Sequence, residues 1–343
     1  MNKYFFALLL LPVCCLAQIP AYYNSINFSQ TGNALKDQLA ALITTTHTNE
    51  LVYTPDVWNA LKQSDLDPDN SANVFLIYGY DDSDANNDND RTRSKNLSCH
   101  SSSCDGLWVR EHIFPRSLGT PNLEFEGPGS DAHHLRAIDS DMNNSRGNNR
   151  YADGSGHSAV VQGNYFYPGD EWKGDIARMI MYMYLRYPTQ CQALIVGTGA
   201  ATYSTDMPNI FLEWNEEDPV SQYELTRNTV LQNMQGNRNP FIDNPYLATR
   251  IWNGPSAQDT WGILSSDDFS KTTVTVYPTL TSGVVNIINA DTNTTYSLYN
   301  GLGQRVTIST TENTVDIGGN ASGIYYLQIN NPYYNQTFKI IKQ

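Results

Sequence analysis

The composition of the 343-residue chain excludes a disordered protein, because hydrophobic residues make up 40% of it and aromatic residues 11%. Its formal net charge of −14 argues against a basic protein that wraps nucleic acid indiscriminately. The acidity is uneven: residues 91–150 carry eight Lys and Arg against seven Asp and Glu, whereas the rest carry 13 against 28. Local charge governs phosphate binding, so this segment can still hold a polyanion.

The first residues have the pattern of a secretory signal peptide, which we place at residues 1–18. Lys3 precedes an apolar run of about a dozen residues that is too short to span a bilayer, and small residues follow near Ala17. Cys14 could instead be a lipoprotein attachment site, but the preceding Leu-Pro-Val is a poor match to that motif. No second apolar stretch of membrane length follows. We therefore expect a secreted protein without stable membrane insertion, found outside the cell or at the outer-membrane surface.

Export would leave three cysteines in an oxidising compartment. Cys99 and Cys104 are close enough in sequence to predict a small disulfide loop, and Cys191 is then the odd thiol. This set does not support a Cys-rich zinc site.

A helix and a strand are predicted before residue 81. In ALKDQLAALITTTH the apolar residues Leu35, Leu39, Leu42 and Ile43 recur at helical spacing and predict a core-packing helix. The continuous apolar run VFLIYGY predicts a buried strand over residues 74–80.

The loop Asp81–Asp90 alternates acids and amides, a spacing that could hold calcium. A calcium loop that begins at Asp84 would place Asn89 at the turn glycine and Lys95 at the bidentate carboxylate, and both residues are wrong for those positions. The pattern favours a solvated polar loop.

The segment Trp108–Arg150 concentrates the groups that phosphodiester cleavage needs. It holds three of the six histidines, a glutamate beside one of them, four arginines between Arg110 and Arg146, and an Asn-rich run. A neutral imidazole can take a proton from water near neutral pH, oxygen ligands suit a hard cation, and guanidinium groups hold phosphate oxygens.

This segment predicts two strands and a helix. LWVREHIF predicts a strand that Pro115 ends, DAHHL a second strand, and AIDSDMNNSRGNN a helix that Asp139 could cap. Asn143 and Arg146 are three residues apart and would share one face of this helix. Glu111 and His112 are consecutive, so both can serve one site only if the strand bends or twists there.

The remaining chain predicts helices and then strands. Ile176, Met179, Ile180 and Met183 form an apolar stripe of a core helix, and a further helix runs from about Ser221 to Met234. A polar linker, residues 263–272, precedes about seven short runs of Val, Ile, Thr and Tyr over residues 273–343, which indicate a β-sandwich.

Four ordered blocks resemble the bacterial endonuclease I family. They are REHIFPRSLG, SDAHHLRAIDSDMNNSRGN, GDIARMIMYMYLRYP, and WNEEDPV with QGNRNPFIDNP, and the likeness covers roughly residues 25–255. The resemblance implies an α+β fold, with a mainly helical nuclease body around a ββα-metal, or His-Me finger, core. We place this body at residues 19–262.

The resemblance also implies roles for individual residues. His112 aligns with the general base that takes a proton from the attacking water, and Glu111 and Asn143 align with the two protein ligands of a single Mg²⁺. Calcium or manganese could substitute for it. The implied products carry a 5′-phosphate and a 3′-hydroxyl.

An arginine should hold the non-bridging phosphate oxygens. Arg146 is the first candidate, Arg136 the second and Arg116 the third, and Arg110 lies beside the base as a further substrate-binding candidate.

His133 and Asn148 lie in matching blocks and are expected to support the substrate side of the site by hydrogen bonding. A buried structural role for His133 is the alternative. The chain lacks the several disulfides of better-known members, which puts redox control of activity in doubt. The loop from Pro115 to Ser130 is also shorter than theirs, so residues within it are hard to align.

The tail resembles the C-terminal sorting domain of the type IX secretion system, through VYPTLTSGVVNI, YSLYNGLGQRV and GIYYLQI. The resemblance implies a partner in the secretion machinery. A small sandwich that binds sugar or protein is the alternative.

These patterns together predict a secreted, Mg²⁺-dependent, sequence-nonspecific endonuclease that acts as a monomer on DNA and, as a second substrate, RNA. A calcium-dependent surface adhesin or glycan-binding protein is the alternative from another class, but it leaves the histidine, glutamate, asparagine and arginine set unexplained. A metalloprotease ranks last, because the chain has no His-Glu-x-x-His helix.

Overall fold

The computed structural model describes residues 19–101, 103–263, 274–288, 294–311, 313–331 and 334–343. The predicted signal peptide and all of the predicted linker except Ile263 lie outside these ranges. The chain divides into two compact units between Gly262 and Ile263. Within the described ranges, no helix is both long and apolar enough to cross a membrane.

The larger unit is a mixed α+β body. Its helices are α1 (Gly32–Thr45), α2 (Asp56–Ser64), α3 (Ser140–Arg146), α4 (Lys173–Arg186), α5 (Ala193–Val196), α6 (Asn209–Glu217), α7 (Gln222–Gln235), α8 (Pro240–Asp243) and α9 (Tyr246–Trp252). Its strands are β1 (Asn73–Phe75), β2 (Thr92–Ser94), β3 (Trp108–His112), β4 (Leu135–Asp139), β5 (Arg150–Tyr151), β6 (Ala159–Val161) and β7 (Tyr165–Tyr167). β1 pairs with β2, β3 pairs with β4, and β7 lies between β5 and β6.

Helix α4 lies in the core of this body and helix α1 packs onto it through one apolar face, as their spacing predicts. In α1, Leu35, Leu39 and Ile43 are fully buried and Leu42 is partly buried. In α4 the whole predicted stripe is buried, and so is nearly every other residue of the helix. The predicted methionine stripe is therefore core.

The ends of α7 show why the helix begins and stops where it does. Ser221 and Glu224 form a reciprocal capping box at its start. At its end Gly236 adopts φ 95°, and a Cβ added there would lie 2.3 Å from the Thr46 carbonyl oxygen. Only glycine fits this turn and this close approach.

The prediction of a strand over residues 74–80 is wrong beyond Phe75. Leu76 and Ile77 donate their backbone N–H groups to the carbonyls of Arg91 and Ala137, and Tyr78 turns with φ 70°. The run is buried as predicted. Its apolar character therefore reflects burial, which a loop and a strand can share.

The polar loop after this run is organised by its own carboxylates. Asp81 accepts from Ser83 N at 2.8 Å, Asp84 accepts from Asn86 N at 2.8 Å, and Asp82 accepts from Arg91 N at 2.7 Å. The first two contacts are typical of Asx turns, and all three support the interpretation as a solvated polar loop.

The predicted disulfide is confirmed, since Cys99 and Cys104 are bonded to each other. Cys191 is a buried free thiol.

The smaller unit is a β domain. Its strands are β8 (Thr275–Tyr277), β9 (Leu280–Thr281), β10 (Val284–Ile288), β11 (Thr295–Asn300), β12 (Arg305–Val306), β13 (Ser309–Thr310), β14 (Thr314–Asp316), β15 (Gly323–Asn331) and β16 (Tyr334–Lys342). They form one sheet in the order β13-β14-β10-β8 and another in the order β12-β11-β15-β16-β9. Both sheets contribute to one apolar core, for example through Val285 and Leu327. The predicted C-terminal β domain is confirmed.

Candidate active site

The site lies at the end of an antiparallel pair formed by β3 and β4, in which Glu111 is opposite Arg136 and His112 is opposite Leu135. The prediction of a second strand over DAHHL is wrong except at its last residue, because β4 begins at Leu135. Residues Ala132–His134 form a 3-10 turn instead, because the Asp131 carboxylate accepts the backbone N–H of His133 at 3.0 Å.

Helix α3 follows β4 directly and is capped as predicted. The Oδ1 atom of Asp139 accepts the backbone N–H groups of Asp141 and Met142 at 2.7 and 2.9 Å. Its second oxygen pairs with the buried guanidinium of Arg93. The strand, the cap and the helix thus fix the positions of Glu111 and of the residues on α3.

Glu111 is buried, with 4% of its surface exposed. Its Oε1 lies 2.9 Å from Arg146 Nε and accepts from the Tyr78 hydroxyl at 3.4 Å. Burial raises the pKa of Glu111 to about 7, against the opposing effect of Arg146. The backbone N–H of His112 also stabilises the charged form of this carboxylate. Among the described residues, Oε2 has no side-chain hydrogen-bond partner and can serve as a ligand.

His112 is held in one tautomer. Its Nε2 lies 2.9 Å from the Gly129 carbonyl oxygen, which can only accept, so Nε2 carries the hydrogen and Nδ1 carries the lone pair. Burial, followed by the neighbouring His134, lowers the pKa of His112 well below its ordinary value. The imidazole is therefore neutral at pH 7. In the described part of the chain Nδ1 has no hydrogen-bond partner, so it can accept a proton.

The two leading candidates for the phosphate arginine are tied into the interior. Arg146 is fully buried, and beyond Glu111 it donates to the carbonyls of Gly147 and Ile113 at 2.9 and 3.2 Å. A guanidinium engaged in this way cannot turn to a substrate. We do not retain Arg146 as the phosphate ligand.

Arg136 is also fully buried, although β4 pairs it directly with Glu111. It contacts Asp65 at 3.3 Å and Asp175 at 3.2 Å and donates to the Tyr223 hydroxyl at 2.9 Å. Residue type and position alone could not separate an arginine that pairs buried carboxylates from one that faces substrate. Arg136 is likewise not retained.

Arg116 and Arg110 lie near the base, since the charges of both guanidinium groups contribute to the lowered pKa of His112. Arg116 is partly exposed, donates through Nε to the Leu123 carbonyl at 2.7 Å, and places its guanidinium 3.7 Å from the centre of the Phe125 ring. Its two terminal nitrogens have no hydrogen-bond partner among the described residues.

Arg110 is stacked between two aromatic rings. Its guanidinium lies 3.5 Å from the centre of the Tyr53 ring and 4.2 Å from that of Trp58, and it donates to the Thr54 hydroxyl at 3.1 Å. Arg110 therefore contributes charge near the base while its position is fixed.

The predicted asparagines differ in their surroundings. Asn143 lies one helical turn before Arg146, is partly buried, and its side chain has no hydrogen-bond partner among the described residues. Asn148 is exposed and donates to the Ser117 hydroxyl at 3.2 Å. Asn143 has a free amide oxygen, whereas Asn148 braces the loop that follows His112.

His133 is buried, and its contacts are those of a structural residue, which was the alternative to a role in substrate binding. Its Nε2 donates to the Asn237 carbonyl at 3.2 Å, and its ring packs against Tyr182 with centroids 4.6 Å apart. Burial lowers its pKa to about 4, so it is neutral at pH 7.

Three tyrosines contribute to the site without having been predicted. The Tyr78 and Tyr151 hydroxyl groups are 2.8 Å apart beside Glu111 and Arg146, and the Tyr53 ring stacks on His112 with centroids 5.6 Å apart. These tyrosines are distant in sequence from the residues they contact, so spacing carried no signal for them.

Carboxylates also gather elsewhere: Asp88, Asp139 and Asp141 have oxygens within 4.8 Å of one another. These are not the predicted ligands. Asp139 is already the cap of α3 and the ion-pair partner of Arg93. We assign no site to this group.

Each of the two units matches a family of known proteins. The family model for endonuclease I matches residues 31–246, and that for the secretion system C-terminal sorting domain matches residues 275–343. An extracellular ribonuclease of Bacillus subtilis is 38% identical over 254 residues, 70% of this chain and 81% of that protein. One from Bacillus amyloliquefaciens is 38% identical over 249 residues, 69% of this chain and 79% of that protein.

These matches decide against the adhesin and metalloprotease alternatives, and the C-terminal match identifies the tail as a sorting domain of type IX secretion. The chain belongs to the endonuclease I family, as a secreted nuclease that carries a C-terminal secretion sorting domain.

Proposed function

We propose that the protein is a sequence-nonspecific endonuclease that uses one divalent metal ion, with His112 as general base and a ββα-metal core made of β3, β4 and α3. The observation that carries this proposal is the state of His112. Its imidazole is neutral, is oriented through Nε2 by the Gly129 carbonyl, and has Nδ1 free. Glu111 precedes it on the same strand end.

The residues present fit a hard divalent cation. Glu111 has a carboxylate oxygen that no described side chain bonds, and Asn143 has an amide oxygen without a described partner, one turn from the arginine that pairs with Glu111. Mg²⁺ prefers few protein oxygens with water and phosphate completing its shell. We propose that Glu111 and Asn143 hold Mg²⁺, for which Mn²⁺ or Ca²⁺ could substitute. When bound, such an ion offsets negative charge on the scissile phosphate and the leaving 3′ oxygen.

The protein's own groups then have separate tasks. Nδ1 of His112 takes a proton from water as the water oxygen attacks phosphorus. The free nitrogens of Arg116 hold non-bridging oxygens, and Arg110 adds positive charge nearby. The bond to the 3′ oxygen breaks and the released oxyanion takes a proton from solvent, so the products carry a 5′-phosphate and a 3′-hydroxyl.

This mechanism does not require a 2′-hydroxyl group, so DNA and RNA are both substrates. His133 and His134 are buried and bonded to backbone carbonyls, so neither imidazole is placed to act as a second acid or base. The extracellular ribonucleases among the relatives support RNA as a substrate.

We also propose that residues 1–18 are removed on export, that residues 19–262 form the nuclease domain followed by a linker over 263–272, and that residues 273–343 engage the secretion machinery. The nuclease is proposed to act as a monomer.

The test is to digest one DNA and one RNA oligonucleotide of the same sequence, with Mg²⁺ and with EDTA, and to identify the ends by mass spectrometry. We expect 5′-phosphate ends from both substrates with Mg²⁺ and no cleavage in EDTA. Cyclic 2′,3′-phosphates, or unchanged cleavage in EDTA, would reject the mechanism.

A further inference from the structure

Aromatic rings and guanidinium groups contact one another in a row next to His112. In order of contact the set is His100, Trp58, Arg110, Tyr53, Phe125 and Arg116, which we call the stacked row. Tyr53 belongs both to the stacked row and to the candidate active site, because its ring also stacks on His112. The row thus starts at the exposed His100, passes the hydrophobic core at the buried Trp58 and ends at the exposed Phe125 and the partly exposed Arg116 near the base.

Phe125 is an outer member of this row and is unusually exposed. Half of its surface, 50%, is accessible, although its ring centroid lies 4.6 Å from that of Tyr53 and 3.7 Å from the Arg116 guanidinium carbon. An exposed phenylalanine held by other groups beside a reactive centre is a feature of binding surfaces.

The position of Phe125 is fixed relative to the base. A Cβ at Gly129 would lie 1.6 Å from the carbonyl oxygen of Glu124, so the residue before Phe125 packs directly against Gly129. Gly129 is the residue whose carbonyl orients His112. One backbone contact therefore ties the exposed ring to the group that orients the base.

The charge around Phe125 indicates which part of a nucleic acid it would meet. Glu124 and Glu126 flank it and are exposed, so this part of the loop repels phosphate. An aromatic ring between two carboxylates can stack on a nucleobase, whereas Arg116 beside the ring can contact the sugar-phosphate backbone of the nucleic acid. Base stacking on aromatic rings tolerates any sequence, as a nonspecific nuclease requires.

We propose that Phe125, supported by Tyr53 and Arg116, is a stacking surface for an unpaired nucleobase next to the scissile phosphate, so that single-stranded nucleic acid is bound in preference to duplex. A base within a duplex is already stacked between its neighbours and would have to be displaced to reach the ring. This inference rests on the proposed nuclease function and names its substrate class.

The test compares wild-type protein with Phe125→Leu, which keeps apolar volume without a ring, and Phe125→Trp, which keeps a ring. Steady-state cleavage with Mg²⁺ is measured on a single-stranded oligonucleotide and on its duplex. We expect Phe125→Leu to raise KM for the single strand about ten-fold, within the range measured for loss of one stacked base, with kcat little changed. KM for the duplex should stay within about two-fold, and Phe125→Trp should resemble wild type.

A second arm removes the base instead of the ring. Single strands with one cleavable linkage, the others being phosphorothioates, carry an abasic nucleotide on either side of that linkage. For wild type, one of the two abasic positions should raise KM about ten-fold, and in Phe125→Leu the same position should have no further effect.

Equal losses on single strand and duplex, a normal KM for Phe125→Leu, or an undiminished abasic effect in that variant would each overturn the stacking surface. Wild-type cleavage with Mg²⁺ in the same assays shows that the nuclease function holds. Absence of that cleavage would instead reject the proposed function itself.

Discussion

Arg146 Nε lies 2.9 Å from Glu111 Oε1, and both side chains are buried. This ion pair joins α3 to the end of β3. It places Asn143, which lies one turn earlier on α3, on the same side of the unit as the glutamate. An arginine that sequence alone suggests as a substrate contact is therefore the link between the two proposed ligand residues.

We expect Arg146→Ala to destabilise the larger unit by about 3–5 kcal/mol, because it leaves a buried carboxylate without its partner. Arg116→Ala should cost less than about 1 kcal/mol but lower kcat/KM about 100-fold, because it removes a group that faces the transition state. Urea denaturation and steady-state cleavage measure the two effects. Normal kcat/KM in Arg116→Ala would show that another group holds the phosphate.

Asn143 and Asn144 form a matched pair on α3. Asn143 has a free amide, whereas Asn144 is exposed and donates to Asp141 at 3.5 Å. We expect Asn143→Ala to raise the Mg²⁺ concentration for half-maximal activity by about ten-fold or more, because one metal ligand is lost. Asn144→Ala should leave that concentration unchanged. Manganese binding, followed by electron paramagnetic resonance, provides a second readout, and equal behaviour of the two variants would remove Asn143 from the metal site.

The buried histidines 133 and 134 should make the larger unit sensitive to mild acid. Burial lowers the pKa of each to about 4, and Asp131, Arg227 and, for His133, His47 are the charged or titratable groups that act on them. Because the folded pKa lies below the unfolded value, stability is complete above pH 6.5 and falls as pH drops from 6.5 towards 4.

Between pH 7 and pH 5 each histidine should account for roughly 2 kcal/mol of lost stability. Replacing both with glutamine should flatten the dependence of the free energy of unfolding on pH, whereas His157→Gln, on the surface, should not. Urea denaturation at several pH values measures this slope. An unchanged slope in the double variant would show that these imidazoles do not control acid stability.

Asp65 is the buried partner of two arginines, Arg136 at 3.3 Å and Arg227 at 3.0 Å. Asp65→Ala should destabilise the larger unit by about 3–5 kcal/mol, because both guanidinium groups lose this carboxylate. The exposed Asp84→Ala should cost far less. KM of the folded fraction should be unchanged for both, and a large rise in KM for Asp65→Ala would return Arg136 to the substrate site.

The sequence patterns predicted elements whose burial is periodic or whose ends carry a specific cap. The stripe of α4, the cap at Asp139 and the β domain all follow from local chemistry. The apolar run after Phe75 and residues 131–134 of the segment DAHHL were assigned to strands that they do not form. After Phe75 the backbone bonds to a distant group, the Ala137 carbonyl, which no local pattern contains. In DAHHL the turn is set by the segment's own first residue, because the Asp131 carboxylate accepts the backbone N–H of His133, a local cap that the apolar pattern did not weigh.

The residues of the candidate site also divide into those that the sequence could suggest and those that it could not. Residue type and resemblance suggested Glu111, His112 and Asn143 as candidates, and these residues lie in two short motifs. They could not rank the arginines, because burial of Arg146 and Arg136 depends on carboxylates supplied by other elements. Nor could they reveal Phe125, since its role depends on contacts with Tyr53 and Gly129 that only the folded chain brings together.

The most direct test of the account is plasmid cleavage by His112→Ala in Mg²⁺, with near-ultraviolet circular dichroism to show that the fold is retained and His157→Ala as a surface control. We expect the rate to fall by about 10²- to 10⁴-fold, because no other described imidazole at the site is free to take the proton from water. A folded His112→Ala protein that cleaves plasmid DNA at close to the wild-type rate would contradict the assignment of His112 as the general base.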